Sequence, residues 1–379
     1  MNTTAGRPQP STAENAARSI VRGMLGQGYY NRNSASQLAA IDPVLPWLEQ
    51  AIAEMPLADP LPAVAIADFG CSEGANSVAA LKGPVAALRA RSQRPIQTLH
   101  SDLPTNDYAA LFTSLRPEGR SVFEDRQTFS AVVGGSMYDQ LLPARSLHIA
   151  TSFNAIGYLS RRPLARLPNY VIGNGPSLPD SPGRVSRPER AVFAAQARDD
   201  LVAFLSARAT ELLPGGLLLV QCWGSDGVRF GCDRTHEALN DALLAAVRVG
   251  IIERPDYEGY YQPVYCRTLA ETTAPVTGPA APLARLYRLE RAETFDVPVP
   301  FIEAYRQSGN AATYARDYTS FFRAFTEPML RSAFAEHRQL KRLIAHVFTH
   351  LEQTFRRAPE RYTFHHISNA VLLSRRAED

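Results

Sequence analysis

The residues best suited to chemistry lie in a short turn, Asp68-Phe69-Gly70-Cys71-Ser72-Glu73-Gly74-Ala75-Asn76, between an apolar run and a helical pattern. Gly70 lets the chain turn sharply, and Gly74 keeps the backbone close to a ligand. The turn is neither a Gly-x-Gly-x-x-Gly dinucleotide motif nor a P-loop, and Glu73 would repel a phosphate. A turn lined with Asp68 and Glu73 suits a cation, for example the sulfonium of S-adenosylmethionine (SAM), although a plain strand–helix connection has the same pattern.

A second acid strengthens the interpretation as a cofactor site. Asp102 ends the next predicted strand, where a carboxylate can accept hydrogen bonds from both hydroxyls of a ribose. Leu103 and Pro104 would then pack on the adenine. The alternative is that Asp102 only caps a helix or closes a turn.

The elements that must position these residues alternate between short apolar strands and helical patterns. This alternation predicts an α/β fold with a doubly wound, mostly parallel sheet. Two loops rich in Gly, Pro, Ser or Thr, at 173–188 and 271–282, interrupt the rhythm, as does a helical stretch at 301–357. The predicted strands are 63–70, 96–102, 128–133, 146–152, 216–221 and 364–374.

The domain organisation that follows is a single elaborated unit over residues 13–379, preceded by a disordered leader at 1–12. The sheet core is expected at about 60–160, 200–270 and 358–379. A helical cap or lid is expected at about 13–55, 161–199, 228–250 and 272–357.

The composition excludes several classes of protein. Of 379 residues, 45% are hydrophobic and 20% are charged, and the formal net charge is +3, which is typical of globular proteins. No apolar run approaches the ~18 residues of a spanning helix, and the first residues lack a secretory signal, so a cytoplasmic protein without a membrane partner is expected. No Lys/Arg block is long enough to predict a nucleic-acid partner.

No metal site is expected. The four cysteines are scattered and form no Cys-x-x-Cys pair, which favours reduced, partly buried thiols. His346 and His350 lie one helical turn apart, but Val347 stands where a zinc protease has its catalytic glutamate, so a structural helix face is favoured.

Five segments together resemble the SABATH family, SAM-dependent methyltransferases that act mainly on small-molecule carboxylic acids. Residues 30–37 match the family motif Tyr-x-x-Asn-Ser-x-x-Gln, and 68–76 resemble Asp-Leu-Gly-Cys-Ser-x-Gly-x-Asn. Residues 101–108 resemble Asn-Asp-Leu-Pro-x-Asn-Asp-Phe, 135–148 resemble the Gly-Ser-Phe-Tyr segment, and 323–330 resemble a segment ahead of the last helices.

The resemblance implies a seven-stranded, Rossmann-like SAM-methyltransferase core with an α-helical cap, usually as a homodimer. SAM is the implied cofactor and S-adenosylhomocysteine the product. Gln37 would hold the carboxylate of the acceptor, near Tyr30 and Asn154. The SAM pocket would comprise Ser34, Asp68, Cys71, Asn76, Asp102, Leu103, Ser136, Met137, Ser152 and Phe153, together with Gly70 of the turn.

One segment departs from the family pattern. Family members that methylate carboxylates often carry Ser-Leu-His/Met-Trp-Leu-Ser, where this chain has Ala155-Ile156-Gly157-Tyr158-Leu159-Ser160. Tyr158 replaces an indole donor by a phenol on a smaller ring, and Gly157 removes bulk. The pocket is therefore either roomier or shaped for another acceptor, unless Tyr158 merely packs at the edge of the sheet.

The predicted reaction is methylation of the carboxylate of a small hydrophobic acid, whether aromatic, fatty or terpenoid, to its methyl ester. A carboxylic acid has a pKa of about 4 and is ionised at neutral pH, so Gln37 and Tyr158 need only position it for in-line transfer. An N- or phenolic O-methyltransferase is the alternative. Its acceptor must lose a proton, to Tyr30 or to a histidine such as His236 or His366. A third possibility is a ligand-binding relative without turnover.

Overall fold

The computed structural model describes residues 23–278 and 280–377, so the leader predicted at 1–12 lies outside the described residues. Eight strands form one sheet in the order β3-β2-β1-β4-β5-β8-β7, with the two-residue β6 paired to β5. The strands are β1 Val64–Phe69, β2 Ile96–Asp102, β3 Thr128–Gly134, β4 Leu147–Phe153, β5 Leu212–Ser225, β6 Arg267–Thr268, β7 Tyr287–Asp296 and β8 Ile367–Arg375.

The sheet direction confirms the predicted α/β class. Strands β1 to β5 are parallel, β8 is antiparallel to β5, and β7 is antiparallel to β8. The strand order reverses between β1 and β4, because β2 and β3 extend one way from β1 and β5 extends the other way. In such sheets a ligand crevice forms at the carboxyl ends of the strands that flank the reversal.

Helices cover both faces of this sheet. They are α1 Tyr29–Asn33, α2 Ala35–Ile41, α3 Leu45–Glu54, α4 Ala75–Arg91, α5 Tyr108–Leu115, α6 Arg187–Glu211, α7 Asp233–Arg248, α8 Arg254–Gly259, α9 Leu269–Thr273, α10 Pro300–Ser308, α11 Ala311–Ala333 and α12 Leu340–Arg357. No helix within 23–278 and 280–377 is long and apolar enough to cross a membrane.

The residues of β1 alternate between two hydrophobic cores, as the two-residue period of a strand requires. Val64 and Ile66 belong to a core that contains side chains of α3 and α4. Ala67 and Phe69 belong to a larger core that contains Phe204 of α6. The strand is buried along its whole length, and its carboxyl end is held between the two helical layers.

The sheet differs from the prediction in its number of strands. Strand β7 lies inside the segment 272–357 that the sequence predicts to be helical cap, and that prediction is wrong for residues 287–296. Arg288, Glu290, Arg291 and Glu293 give this edge strand charges where a buried strand has apolar residues, and it pairs with β8 alone. The predicted loop at 271–282 begins inside the short helix α9.

Candidate functional site

A cavity of about 570 Å³ opens at the carboxyl ends of β1, β2, β3 and β4. It extends from the turn after β1 to aromatic side chains on β5 and α11. Its lining includes the predicted residues Tyr30, Gln37, Gly70, Asp102, Leu103, Ser136, Met137, Phe153, Asn154 and Tyr158. Ten residues predicted from distant parts of the sequence thus come together around one space.

The turn after β1 brings the backbone close to this cavity. Gly70 has a φ of 95°, a left-handed conformation that favours glycine. A Cβ atom at Gly70 would lie 2.3 Å from the Cβ of Ala155. The amides of Gly70 and Cys71 both donate to the carbonyl of Ser101, at 2.8 and 3.0 Å. The left-handed backbone and the lack of room for a Cβ atom therefore both require glycine where the chain leaves the strand.

Asp102, at the end of β2, contacts this turn, and its carboxylate can accept further hydrogen bonds. Its Oδ2 accepts from the amide of Ser72 at 2.6 Å, and its Oδ1 accepts from the amide of Leu103 at 2.7 Å. Each carboxylate oxygen can accept more than one hydrogen bond. Ser72 and Ser101 line the same cavity, and their buried hydroxyls have no hydrogen-bond partner. These groups fit the ribose hydroxyls of a nucleoside such as SAM.

Burial shifts the acid–base behaviour of two carboxyl groups at this end of the cavity. Desolvation raises the pKa of Asp102 to about 6, although two backbone amides oppose the shift. Desolvation also raises the pKa of Asp68 to about 6, against hydrogen bonds from Ser77 and Thr151. Asp68 does not line the cavity; Thr151 Oγ1 donates to it at 2.8 Å beneath the turn. A bound cation would favour the ionised form of both groups.

An N-terminal segment, residues 23–28, hereafter the strap, closes one side of the cavity with Gly23 and Met24. The buried Glu73 carboxylate accepts from the amide of Gly28 at 2.6 Å and from that of Asn31 at 2.9 Å. Glu73, which the sequence suggested as part of a cation site, therefore anchors the start of α1. Two backbone amides of the protein itself compensate the negative charge of this carboxylate.

A proline supplies the second anchor of the strap. Pro328 lies inside α11 and has no N–H, so the carbonyl of Ala324, four residues earlier, lacks its helical donor. The amide of Leu25 donates to this carbonyl at 2.9 Å. The interruption in α11 thus creates the acceptor that fixes the strap over the cavity, next to Phe325.

The far end of the cavity contains the residues predicted to hold an acceptor. The Gln37 side chain is 3% exposed, and its Oε1 has no hydrogen-bond partner. Asn154 keeps this region in place, because its Nδ2 donates to the backbone carbonyl of Gln37 at 3.2 Å and its Oδ1 accepts from Gln221. The Gln37 amide is therefore positioned by the backbone and has an oxygen that no protein group satisfies.

Tyr158 lines the cavity and packs edge-on against Trp223, with ring centroids 5.1 Å apart. The hydroxyl of Tyr138 donates to the backbone carbonyl of Tyr158 and fixes that segment. Trp223, a residue that the sequence did not single out, also lines the cavity and contacts the ring of Phe325 at 5.8 Å. The cavity thus contains an indole ring, but this ring belongs to β5 and not to the 155–160 segment.

Gly157 has a packing role in this arrangement. A Cβ atom there would lie 3.1 Å from Cys222 Sγ, and Gly157 does not line the cavity. The absent side chain makes room for the adjacent β5 and does not enlarge the space for an acceptor.

The remaining predicted residues do not line the cavity. Ser34 is buried, and its carbonyl accepts from Asn76 Nδ2 at 3.3 Å. The Ser152 hydroxyl donates to the carbonyl of Phe69 at 2.9 Å. Burial raises the pKa of the Cys71 thiol well above its usual value.

The two histidines predicted to face an acceptor are placed in the core. His236 Nδ1 lies 2.7 Å from the carbonyl of Cys232, and its Nε2 lies 3.0 Å from Gln262 Oε1. His366 is buried beside Phe364, and desolvation lowers its pKa to about 3. Neither imidazole lines the cavity.

A buried ion pair organises the loop after β3, and sequence reasoning missed it. Arg208 Nε donates to Glu211 Oε2 at 2.6 Å, and both side chains are fully buried. Arg208 also donates to the carbonyls of Met137 and Asp139, at 2.7 and 2.9 Å. Glu211 Oε1 accepts from the amides of residues 141 and 142. The pair therefore fixes the loop that carries Ser136 and Met137 into the cavity wall.

A polar network borders the opposite rim. The Asp200 carboxylate accepts from the amide of Ser160 at 2.9 Å and from its hydroxyl at 2.5 Å. Gln196 donates to the same carboxylate at 2.8 Å and accepts from Arg161 Nε at 2.6 Å. These contacts connect α6 to the 155–160 segment. In the part of the chain that the structure describes, no group of three or more His, Cys, Asp or Glu side chains is arranged to hold a metal ion.

Comparisons with known proteins agree with this geometry. A family model described as SAM dependent carboxyl methyltransferase matches residues 19–376. Loganic acid O-methyltransferase of Catharanthus roseus is 31% identical over 257 residues, which cover 62% of this chain and 66% of that protein. A probable jasmonic acid carboxyl methyltransferase of Theobroma cacao is 28% identical over 260 residues, covering 63% and 68%. The alignments thus span about two thirds of each relative.

The fold has a counterpart among solved structures. A structure of loganic acid methyltransferase with SAH aligns with a TM-score of 0.75 and 22% sequence identity, over 94% of this chain and 99% of that one. This likeness extends across the sheet and the helical layers.

Proposed function

The chain belongs to the SAM-dependent carboxyl methyltransferase family, the SABATH family, and we propose that it methylates the carboxylate of a small, largely hydrophobic acid. The acid is held between Gln37 and Tyr158, and SAM is held at the Asp102 end of the same cavity. The observation that carries the proposal is that Gln37, whose side-chain amide nitrogen can donate hydrogen bonds to a carboxylate, lines the same cavity as Asp102.

The charges of the cavity suit its two ligands. The carboxyl groups of Asp68 and Asp102 have raised pKa values because burial leaves their charge poorly compensated. A sulfonium cation nearby would stabilise the ionised forms. SAM supplies a methyl group on a positively charged sulfur, which makes that methyl electrophilic. The Asp102 oxygens and the free hydroxyls of Ser72 and Ser101 orient the nucleoside end.

The acceptor end explains how the reaction proceeds without a general base. A carboxylate is already ionised at neutral pH, so its oxygen needs only orientation toward the methyl group and protection from water. The amide of Gln37 can donate a hydrogen bond to one carboxylate oxygen. Met24, Trp223 and Phe325 give the cavity apolar walls that exclude water and favour a hydrophobic acid body.

The acid–base groups around the cavity favour this acceptor over an amine or a phenol. Either of those acceptors must lose a proton to the enzyme. His236 and His366 do not line the cavity. Desolvation raises the pKa values of Tyr30 and Tyr158 above the usual value for a phenol, so neither supplies a phenolate base at neutral pH. An acceptor that arrives ionised needs none of these groups.

Methyl-labelled SAM distinguishes the candidate functions. The protein is incubated with labelled SAM and, separately, with panels of aromatic, fatty and terpenoid acids, of phenols and of purines. Labelled products are then treated with mild alkali, which hydrolyses methyl esters and leaves N-methyl groups and aryl ethers intact. We expect transfer to at least one acid and release of the label by alkali.

A matched variant tests the proposed site. Gln37→Ala keeps the backbone carbonyl that Asn154 contacts and removes only the side-chain amide, so it should impair acceptor use with little change in SAM affinity. Alkali-stable label from phenols or purines would refute the carboxylate proposal. SAM binding without transfer to any member of the panels would favour a non-catalytic relative.

We also propose that the protein forms a homodimer and that it is located in the cytoplasm. Size-exclusion chromatography with light scattering tests the assembly, and fractionation of the source cells tests the location.

A further inference from the structure

We propose that a second cavity binds a small phosphate compound. This basic cavity, of about 400 Å³, lies between α11 and α12 and is bordered by Tyr29 of α1. Four cationic side chains, Arg316, Arg323, Arg331 and Lys341, line it, with Glu352 as the one lining carboxylate among the described residues. Its charge is thus opposite to that of the cofactor cavity, which presents Asp102.

A buried acid holds two of the cations in place. Glu327 is 2% exposed; its Oε2 lies 2.5 Å from Arg323 Nε, and its Oε1 lies 2.6 Å from Arg331 Nε. One carboxylate therefore fixes two guanidinium groups but compensates only one of their two positive charges. The terminal NH groups of Arg323 remain available to a ligand, since its recorded hydrogen bond uses only Nε.

The other two cations are less well compensated. Within the described residues, the one ion pair of Arg316 is with the exposed Asp317, at 3.4 Å, and Lys341 forms none. Exposed pairs of this kind contribute little. Excess positive charge in a concave site attracts an anion, and the attraction weakens as salt increases.

A hydrogen-bonding group inside the cavity points to the same ligand. Thr319 lines the cavity, is 6% exposed, and has a hydroxyl without a hydrogen-bond partner. Leaving a buried hydroxyl unpaired is costly, and an anion oxygen would satisfy it. The cavity thus combines a buried neutral donor with several charged donors on its rim.

Phosphate matches this donor set better than a monovalent carboxylate does. It carries up to two negative charges and several oxygens that can accept from guanidinium forks, an ammonium and a hydroxyl together. The same chemistry occurs in free phosphate compounds and in lipid headgroups. The position of the cavity, an open recess of about 400 Å³ between two helices, favours the free compound.

Isothermal titration with pyrophosphate, in a buffer without phosphate, tests the proposal on the full chain. We expect saturable binding that weakens as NaCl is raised. Lys341→Gln and Thr319→Val should each weaken binding about fivefold. Thr319→Val nearly conserves the side-chain volume and Lys341 is exposed, so both variants should keep the fold; circular dichroism checks this.

Arg342→Gln is the matched control. Arg342 follows Lys341, is exposed, and donates to Gln339 outside the basic cavity, so its loss removes the same charge without removing a lining group. Equal weakening by Arg342→Gln and Lys341→Gln would show a diffuse charge effect and overturn the proposal. Absence of saturable pyrophosphate binding at low salt would also overturn it.

Vesicles separate the two sources of the phosphate group. Flotation is measured with vesicles of phosphatidic acid in phosphatidylcholine and with phosphatidylcholine alone. We expect pyrophosphate to bind and neither vesicle to retain the protein. Retention on phosphatidic acid vesicles without pyrophosphate binding would overturn the assignment to a free compound.

Discussion

Replacing Arg208 by methionine should destabilise the protein and loosen its SAM site. The substitution keeps a long apolar stem and removes the charge that faces Glu211. Glu211 would then be a fully buried carboxylate without its cation. The carbonyls of Met137 and Asp139 would also lose their donors.

The size of the effect follows from these contacts. Removing one partner of a buried ion pair costs about 3–5 kcal/mol, because the remaining charge is uncompensated. The entropy of unfolding of a chain of 379 residues is roughly 0.8 kcal/mol per kelvin near the midpoint. A loss of about 4 kcal/mol in the free energy of unfolding therefore lowers Tm by about 5 °C. The SAM Kd should rise as well, because the loop carrying Ser136 and Met137 loses its support.

Urea unfolding followed by circular dichroism and tryptophan fluorescence measures the stability, and titration calorimetry measures the SAM Kd. Arg306→Met is the matched control, because Arg306 and Glu303 also form a pair three residues apart on a helix, but with both side chains exposed. That substitution should cost less than about 1 kcal/mol. It should leave SAM binding unchanged.

A double-mutant cycle decides whether the pair acts as a unit. Arg208→Met combined with Glu211→Leu removes both charges and should show a coupling energy of at least about 2 kcal/mol. A cost below about 1 kcal/mol for Arg208→Met alone, or additive costs in the double variant, would refute the reasoning.

Four further predictions concern the cavity. Asp102→Ala should raise the SAM Kd roughly 100-fold in calorimetry through loss of charge-assisted hydrogen bonds, and an unchanged Kd would contradict the ribose assignment. Gln37→Ala should raise the acceptor KM about tenfold in the labelled-methyl assay and change the SAM Kd less than about twofold; the reverse pattern would exchange the two roles. The SAM Kd should fall as pH rises through about 6, because desolvation raises the pKa of Asp102 to about 6 and only its ionised form favours the sulfonium; titrations from pH 5 to 8 should show this fall, and a flat profile would count against it. Pro328→Ala restores a donor for the Ala324 carbonyl, so the amide of Leu25 should exchange its hydrogen faster, and unchanged exchange would argue against competition for that carbonyl.

Much of the sheet could be predicted because its central strands are rich in apolar residues. β1 and β4 are buried at every residue; β1 is apolar except for Asp68, whereas β4 also buries His148, Thr151 and Ser152, so its pattern is weaker. β7 has no such signal, since half of its residues are charged, only Tyr287 is fully buried, and Leu289, Ala292 and Phe295 are half-buried. Its strand conformation depends on pairing with β8, a contact that lies far away in sequence.

The candidate site was predictable where function imposes a local motif. Gly70 and Asp102 belong to turns that follow strands, and both line the cavity. Trp223 lies in β5, where the residues before and after it are also buried. The hydrophobic pattern therefore does not show which face of the sheet its side chain occupies. Arg208 is one arginine among many in a helical pattern. Only the packing of α6 against the loop after β3 shows that this guanidinium is buried.

The link between the strap and α11 has a consequence for biosynthesis. Leu25 is synthesised before every strand of the sheet, whereas its acceptor Ala324 is synthesised after all of them except β8. The strap cannot dock on that carbonyl until α11 has been made, and closing so long a loop is entropically costly. The wall that Gly23 and Met24 add to the cavity should therefore form later than the strands that carry the rest of the cavity. A nascent chain that already holds its central strands would still have this side of the cavity open.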